Sequence, residues 1–216
     1  MSKPLALSSK PIIIGLTGGI GSGKSTISRL LAANNIPTID TDLIAREVVE
    51  PNTIGLAAII KHFGHSILQT DGSLDRAKLR NVIFNNLQDK KALEAILHPL
   101  IQAQVRQQIA NIKQNTLDPV PDFILVAIPL LAESIKKTGQ APDYIDEVWV
   151  VDTPAEQQLQ QASQRDRENS DQIQKIIDQQ ATREERLAIA NVVIHNDGDI
   201  AKLKKQLNEL LLQYKK

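Results

Sequence analysis

The stretch GLTGGIGSGKST, Gly15 to Thr26, packs five glycines into twelve residues and closes on a lysine followed by two hydroxyls. Glycine loses the most conformational freedom on folding and offers no side chain to bury. Such a cluster therefore needs a reason outside ordinary packing. Gly18, Gly23, Lys24 and Ser25 fit G-x-x-x-x-G-K-[ST], in which backbone N–H groups wrap phosphates, the lysine reaches the β/γ oxygens and the hydroxyl binds Mg²⁺. The expected ligand is a nucleoside triphosphate. Gly21, Ser22, Gly23, Lys24, Ser25 and Thr26 are the residues expected at its phosphates, and Ser25 is the hydroxyl on the metal side.

The flanking residues supply the context the motif requires. Ile12-Ile13-Ile14-Gly15-Leu16-Thr17 is a short β-branched run bounded by Pro11 and glycines, as a strand buried on both faces would be. From Ser25 to Ala33 the apolar residues Ile27, Leu30 and Leu31 have helical spacing, and the run stops at Asn34-Asn35. Strand, glycine loop and helix follow in order, which aims a helix N-terminus and its dipole at the anion. A tight turn with no ligand is the competing reading, and the lysine and hydroxyl at the required offsets argue against it.

Outward from this loop, Ile36-Pro37-Thr38-Ile39-Asp40 is a second strand, followed by helical character from Thr41 to Glu50 and a break at Pro51-Asn52. Asp40 and Asp42 thus fall at a strand's carboxyl end, where open α/β sheets bind their ligands. Residues 53–117 show helical periodicity without a convincing strand; an apolar stripe from Leu93 to Ile112 crosses two helices interrupted at His98-Pro99. Proline suits a first helical position, which makes His98 a cap or hinge. Further buried strands are expected at Phe123–Ile128, Glu147–Val151 and Asn191–Ile194, with an amphipathic helix from Ile200 to Tyr214. The architecture is a five-stranded α/β core in two pieces, 11–52 and 118–216. Residues 53–117 form a helical insertion, and the polar segment at about 155–186 forms a lid.

Composition narrows the partners. Lys+Arg and Asp+Glu are both 25, so the formal net charge is zero, and aromatics are 3% of the chain. Neither the charge nor the stacking surface of a nucleic-acid binder or an anionic-membrane binder is present. There is no cysteine, which removes disulfides and thiolate metal sites. The apolar run Phe123–Ala132 is too short to span a bilayer, and Met1–Lys10 lacks a signal peptide's apolar region, so a ragged start and a cytoplasmic protein are expected. A monomer or weak homo-oligomer is sufficient. No His/Asp/Glu cluster has zinc spacing, which leaves Mg²⁺ as the metal expected with the nucleotide.

Phosphoryl transfer needs positioning and charge neutralisation more than covalent chemistry. Lys24 supplies part of the charge. Asp42 either takes the acceptor hydroxyl's proton or caps the helix from Leu43, and the two roles are compatible. Arg165, Arg167, Arg183 and Arg186 lie in the polar segment, and position alone does not choose among them for a phosphate contact. His195-Asn196-Asp197-Gly198 either offers backbone contacts to adenine or is a turn before the last helix.

Several stretches in order resemble the dephospho-CoA kinase family: GLTGGIGSGKST, IDTDLIAREVVEP (39–51), LHPLI (97–101), IPLLAE (128–133), QRD (164–166) and QATREERLAIANVVIHNDG (180–198). The resemblance spans about Ile12 to Gly198. It implies a P-loop NTPase-type three-layer sandwich with a five-stranded parallel sheet, a helical substrate-binding insertion and a helical lid. It also implies ATP-dependent phosphorylation of the ribose 3′-hydroxyl of dephospho-CoA, the closing step of coenzyme A synthesis. Carried over residue by residue, it places Lys24, Ser25 and Thr26 on ATP and Mg²⁺, Asp42 as catalytic base, Arg165 as the lid contact to phosphate, and His98 beside the CoA-binding insertion. Asn196 and Gly198 join the nucleotide-binding set. Asn191 departs from the family, which commonly has aspartate there. A nucleoside monophosphate kinase would share loop and lid but accept on a phosphate, and a P-loop switch would bind nucleotide without transferring it.

Overall fold

The computed structural model describes residues 11–84, 86–114, 121–166 and 170–214. The expected ragged start, Arg167, and the end of the insertion at 115–117 lie outside the described residues. Among these residues the chain divides into two compact units, one formed by the residues up to Asp40 with those from Asn111 onward, the other by Thr41–Ala110. The second unit begins earlier than the boundary after residue 52 expected from sequence, because the helix following Asp40 packs with it.

The first unit is built on a five-stranded sheet, β1 Ile12–Gly18, β2 Thr38–Asp40, β3 Phe123–Ala127, β4 Glu147–Asp152 and β5 Val192–His195, in the order β2-β3-β1-β4-β5. Every pairing is parallel. Parallel strands need helical crossovers on both faces, so their residues are apolar on both sides. The alternation divides them cleanly. Ile14, Leu16, Phe123, Leu125, Trp149, Val151 and Ile194 point to one face, where they meet Ile27 and Leu31 of α1 (Lys24–Ala32) and Leu203, Leu207 and Leu210 of α10 (Ile200–Tyr214). Val148 and Val150 point to the other, against Leu131 of α6 (Leu131–Thr138) and Leu187 of α9 (Arg183–Ala188). The result is the three-layer P-loop sandwich, with all strand ends at Gly18, Asp40, Ala127, Asp152 and His195 on one edge. The polar segment forms three helices, α7 Ala155–Asp166, α8 Ser170–Gln179 and then α9.

Asn191 gains an explanation here. Its side-chain Oδ1 accepts from the Val148 N–H at 2.8 Å, and its own N–H donates to the Val148 carbonyl at 2.8 Å. The position needs an acceptor oxygen to begin the β4–β5 ladder, which asparagine and aspartate both supply.

The second unit holds α2 Thr41–Glu47, α3 Ile54–Phe63, a 3₁₀ turn at His65–Ile67, α4 Arg76–Phe84 and α5 Leu87–Gln114. Its core joins Val49, Leu56, Ile59, Ile67, Leu74, Leu79 and Leu93. The expected break at His98-Pro99 is corrected: α5 runs unbroken for 28 residues with Pro99 inside it. His98 is therefore neither cap nor hinge but an exposed mid-helix side chain. An interior proline costs about 3 kcal/mol through its missing N–H and ring clash. Burial of Leu93, Val105 and Ile109 along the same helix, at about 1.5–3 kcal/mol each, exceeds it. No described helix is long and apolar enough to cross a membrane.

Candidate functional site

The glycine loop connects β1 to α1. Gly21 and Gly23 take φ of 66° and 93°, a left-handed conformation that side chains with a Cβ resist. Space forbids a side chain as well: a Cβ on Gly21 would stand 2.3 Å from the Gln158 carbonyl, and one on Gly23 would stand 2.3 Å from Asn196 Nδ2. Gly23 is the N-cap of α1, with no side-chain cap. The first N–H groups of that helix therefore face the loop with the positive end of its dipole. Lys24 Nζ reaches back across the loop to the carbonyls of Gly18 at 2.7 Å and Gly19 at 3.2 Å.

The loop is held from below. The carbonyl of Ser22, a residue 1% exposed, accepts from Thr153 Oγ1 at 3.0 Å and from Asn196 Nδ2 at 2.8 Å. Gln158 Nε2 in turn donates to the Thr153 carbonyl at 2.7 Å, and the Ile20 N–H donates to Gln180 Oε1 at 2.8 Å. Asn196 and Gly198 thus join the loop's surroundings, with the Gly198 N–H on Asn196 Oδ1 at 3.3 Å. The Asn196 side chain is thus taken at both ends, Nδ2 by the Ser22 carbonyl and Oδ1 by the Gly198 N–H. Sequence reading missed Thr153, Gln158 and Gln180. For Thr153 the available signal was a polar residue just past the end of an apolar strand run.

Past the same edge, Asp152 accepts from Arg183 Nε and Nη2, both at 2.7 Å, with His195 Nδ1 at 3.4 Å. The Arg183 fork holds the buried Asp152 carboxyl below the usual carboxylate range, against the opposing pull of burial. The connection from α8 to α9 is tied to α6 by the Ala181 N–H on Glu133 Oε1 at 2.8 Å and by Lys136 on Glu185 at 2.6 Å. Thr182 and Glu185 form a capping box at the start of α9.

The four arginines of the polar segment separate. Arg165 is exposed in the last turn of α7, and Arg167 lies outside the described residues. Arg183 is taken by Asp152. Arg186 is 8% exposed, donates through Nη1 to the Ala181 carbonyl, and lies against Gly19. Burial pulls its pKa down first, with Glu133, Asp152 and Glu184 opposing from a distance.

Asp42 stands two residues beyond the end of β2, exposed in the first turn of α2. Because α2 starts at Thr41, Asp42 is inside the helix, and the expected cap of a helix from Leu43 does not form. An acid in the first turn still suits the helix dipole. Within the same unit a cleft of about 420 Å³ is lined by Val49, Glu50, Gln69, Asp75 and Arg76, a volume in the range of small-molecule sites. Among the described residues no group of three or more His, Cys, Asp or Glu side chains could hold a metal ion. Ser25, the hydroxyl expected on the metal side, stands in the first turn of α1.

The chain was compared with known proteins. Residues 12–202 match the family model described as dephospho-CoA kinase. A dephospho-CoA kinase of Hydrogenovibrio crunogenus is 49% identical over 92% of this chain and 96% of its own length. One of Coxiella burnetii is 44% identical over 93% and 96%. Among solved structures, TT1252 from Thermus thermophilus superposes with a TM-score of 0.76 at 26% identity, over 96% of this chain and all of that one. A dephospho-CoA kinase from Campylobacter jejuni gives 0.62 at 26%, over 94% and 96%. With residues 12–202 matched by the family model and relatives matched over nearly their whole length, the chain belongs to the dephospho-CoA kinase family.

Proposed function

We propose that the protein transfers the γ-phosphoryl group of ATP to the ribose 3′-hydroxyl of dephospho-CoA, giving coenzyme A and ADP. The observation that carries this reading is the braced glycine loop ending on Lys24 and the α1 N-terminus, in a chain whose relatives bear that name over nearly their full length. The loop's N–H groups and Lys24 neutralise the β/γ oxygens, where charge gathers as the phosphoryl group moves. The Ser25 hydroxyl would hold Mg²⁺ together with the nucleotide, and the ion would supply further charge neutralisation there. Asp42 takes the proton of the 3′-hydroxyl as its oxygen attacks γ-phosphorus, and the bond from γ-phosphorus to the bridging β–γ oxygen breaks to release ADP. Helices α7–α9 close over the nucleotide and exclude water, which would otherwise take the phosphoryl group. An arginine of that lid and the turn at 196–198 complete the nucleotide site. The second unit, with His98 on its long helix, takes the acceptor, whose pantetheine arm provides binding energy remote from the reacting atoms.

ADP release measured with ATP and a panel of acceptors tests the proposal. Dephospho-CoA is expected to show a kcat/KM at least ~100-fold above adenosine's, equivalent to about 2.7 kcal/mol of transition-state binding. AMP and CMP should be poor or inert. Faster formation of a nucleoside diphosphate from AMP or CMP would replace this reading with a monophosphate kinase, and nucleotide binding without turnover on any acceptor would replace it with a switch.

A further inference from the structure

Helix α9 carries two arginines one turn apart with opposite surroundings. The Arg183 side chain is 55% exposed and forks onto Asp152 with two bonds of 2.7 Å. Arg186 is 8% exposed, and its hydrogen bond from Nη1 goes to a neutral acceptor, the Ala181 carbonyl. Glu133, Asp152 and Glu184 act on it only through space. Two of them are engaged elsewhere, Glu133 by the Ala181 N–H and Asp152 by Arg183. Among the described residues Arg186 is thus a buried cation without an ion pair. Such a charge is costly unless an anion completes it, and a guanidinium has five N–H groups to offer.

The neighbour of that cation is the phosphate loop. A Cβ on Gly19 would stand 3.4 Å from Arg186 Cζ and 2.3 Å from Gln158 Oε1, so the loop, the glutamine and the guanidinium meet closely at this residue. Lys24 Nζ lies on the carbonyls of Gly18 and Gly19, and this lysine's targets are the β/γ oxygens. Gly19 therefore marks the terminal-phosphate end of the loop. We propose that Arg186, rather than the exposed Arg165, is the lid cation that grips the terminal phosphate of the nucleotide, held there in advance by the Ala181 carbonyl and the walls of Gly19 and Gln158. This rests on the ATP reading of the loop given above. The planar fork suits two phosphate oxygens at once, and the capping box at Thr182 fixes the helix that carries it.

Calorimetric titration of the full chain with ATP, ADP and AMP, each with Mg²⁺, tests the assignment without any acceptor. Arg186→Gln is expected to weaken ATP binding about 10-fold or more, the size of a lost charge-assisted hydrogen bond, while AMP changes less than about 2-fold. Arg165→Gln should weaken ATP by less than about 3-fold. Should Arg186→Gln fail to fold, Arg186→Lys keeps the buried charge without the fork and must show the same order of loss, ATP above ADP above AMP. Equal weakening of all three nucleotides would make Arg186 a brace of the loop. Wild-type ATP affinity in either Arg186 variant, or a larger loss in Arg165→Gln, would overturn the assignment. A chain that discriminates ATP through Arg186 yet phosphorylates no dephospho-CoA loses the acceptor reading alone. One that phosphorylates it normally with Arg186→Gln loses this inference alone.

Discussion

The Ser22 carbonyl lets the bracing of the phosphate loop be measured as a coupling. Thr153 Oγ1 and Asn196 Nδ2 both donate to it, at 3.0 and 2.8 Å, and Thr153, Asn196 and Ser22 are 1%, 7% and 1% exposed. Thr153→Val or Asn196→Ala alone leaves the carbonyl one donor, so each removes from it an ordinary hydrogen bond worth about 1 kcal/mol, with a cavity term and the lost Gly198 N–H contact added at Asn196. Together they leave a buried carbonyl without a partner, whose desolvation costs about 1–3 kcal/mol. The double variant should therefore exceed the sum of the singles by about 1 kcal/mol, with the terms particular to Asn196 cancelling in the cycle. Trp149, the chain's single tryptophan, is 0% exposed in the sheet beneath the loop, so its fluorescence reports urea unfolding of this unit. ATP affinity measured on the same four proteins should fall in the same non-additive way, since the carbonyl sets the loop's shape. Additivity within ~0.3 kcal/mol, with ATP binding unchanged, would show that these contacts do not position the loop.

Asp42→Asn keeps a short polar side chain in the first turn of α2 but cannot take a proton. Turnover should drop at least ~100-fold while the thermal midpoint barely moves, and an active but less stable variant would make Asp42 structural. Asp152 is held below the usual carboxylate range chiefly by Arg183, so its contribution to stability is complete above that range and is lost as pH falls through the depressed folded value. In Arg183→Gln the folded value rises, and the acid limb of the unfolding profile, followed between about pH 2 and 6, should move to higher pH; an unmoved limb would mean the fork contributes nothing. Gly55 lies inside α3, where alanine would normally add about 1 kcal/mol through helix propensity. A Cβ there would stand 2.0 Å from the Val48 carbonyl and 3.1 Å from Leu100 Cδ1, so Gly55→Ala should lower the thermal midpoint, and a rise would contradict the close packing of α3.

The parts of the molecule written locally in the chain were legible. The loop could be read because glycines, lysine and hydroxyl sit within a few residues of each other, and the five strands because burial on both faces makes short apolar runs. Asp42 stood out because it follows a strand end. Pro99 misled, since its local cost is visible in sequence whereas the burial of Leu93, Val105 and Ile109 that overrides it is a property of packing. The same holds for the cap at Asp42, which a helix starting two residues earlier removes. Thr153, Gln158, Gln180 and Asn196 converge on a loop far away in the chain, and no spacing rule brings them together. The difference between Arg165 and Arg186 is likewise one of burial, which four arginines in a polar segment do not reveal.

The identity of the phosphorylated product tests the central claim most directly. The wild-type chain would be incubated with ATP, Mg²⁺ and dephospho-CoA, and the product followed by phosphorus NMR. The account predicts one new phosphomonoester on the ribose 3′-oxygen, formed in step with ADP, with the acceptor's diphosphate bridge intact. Phosphate appearing on any existing phosphate group, or ADP accumulating with free phosphate and no new ester, would contradict it.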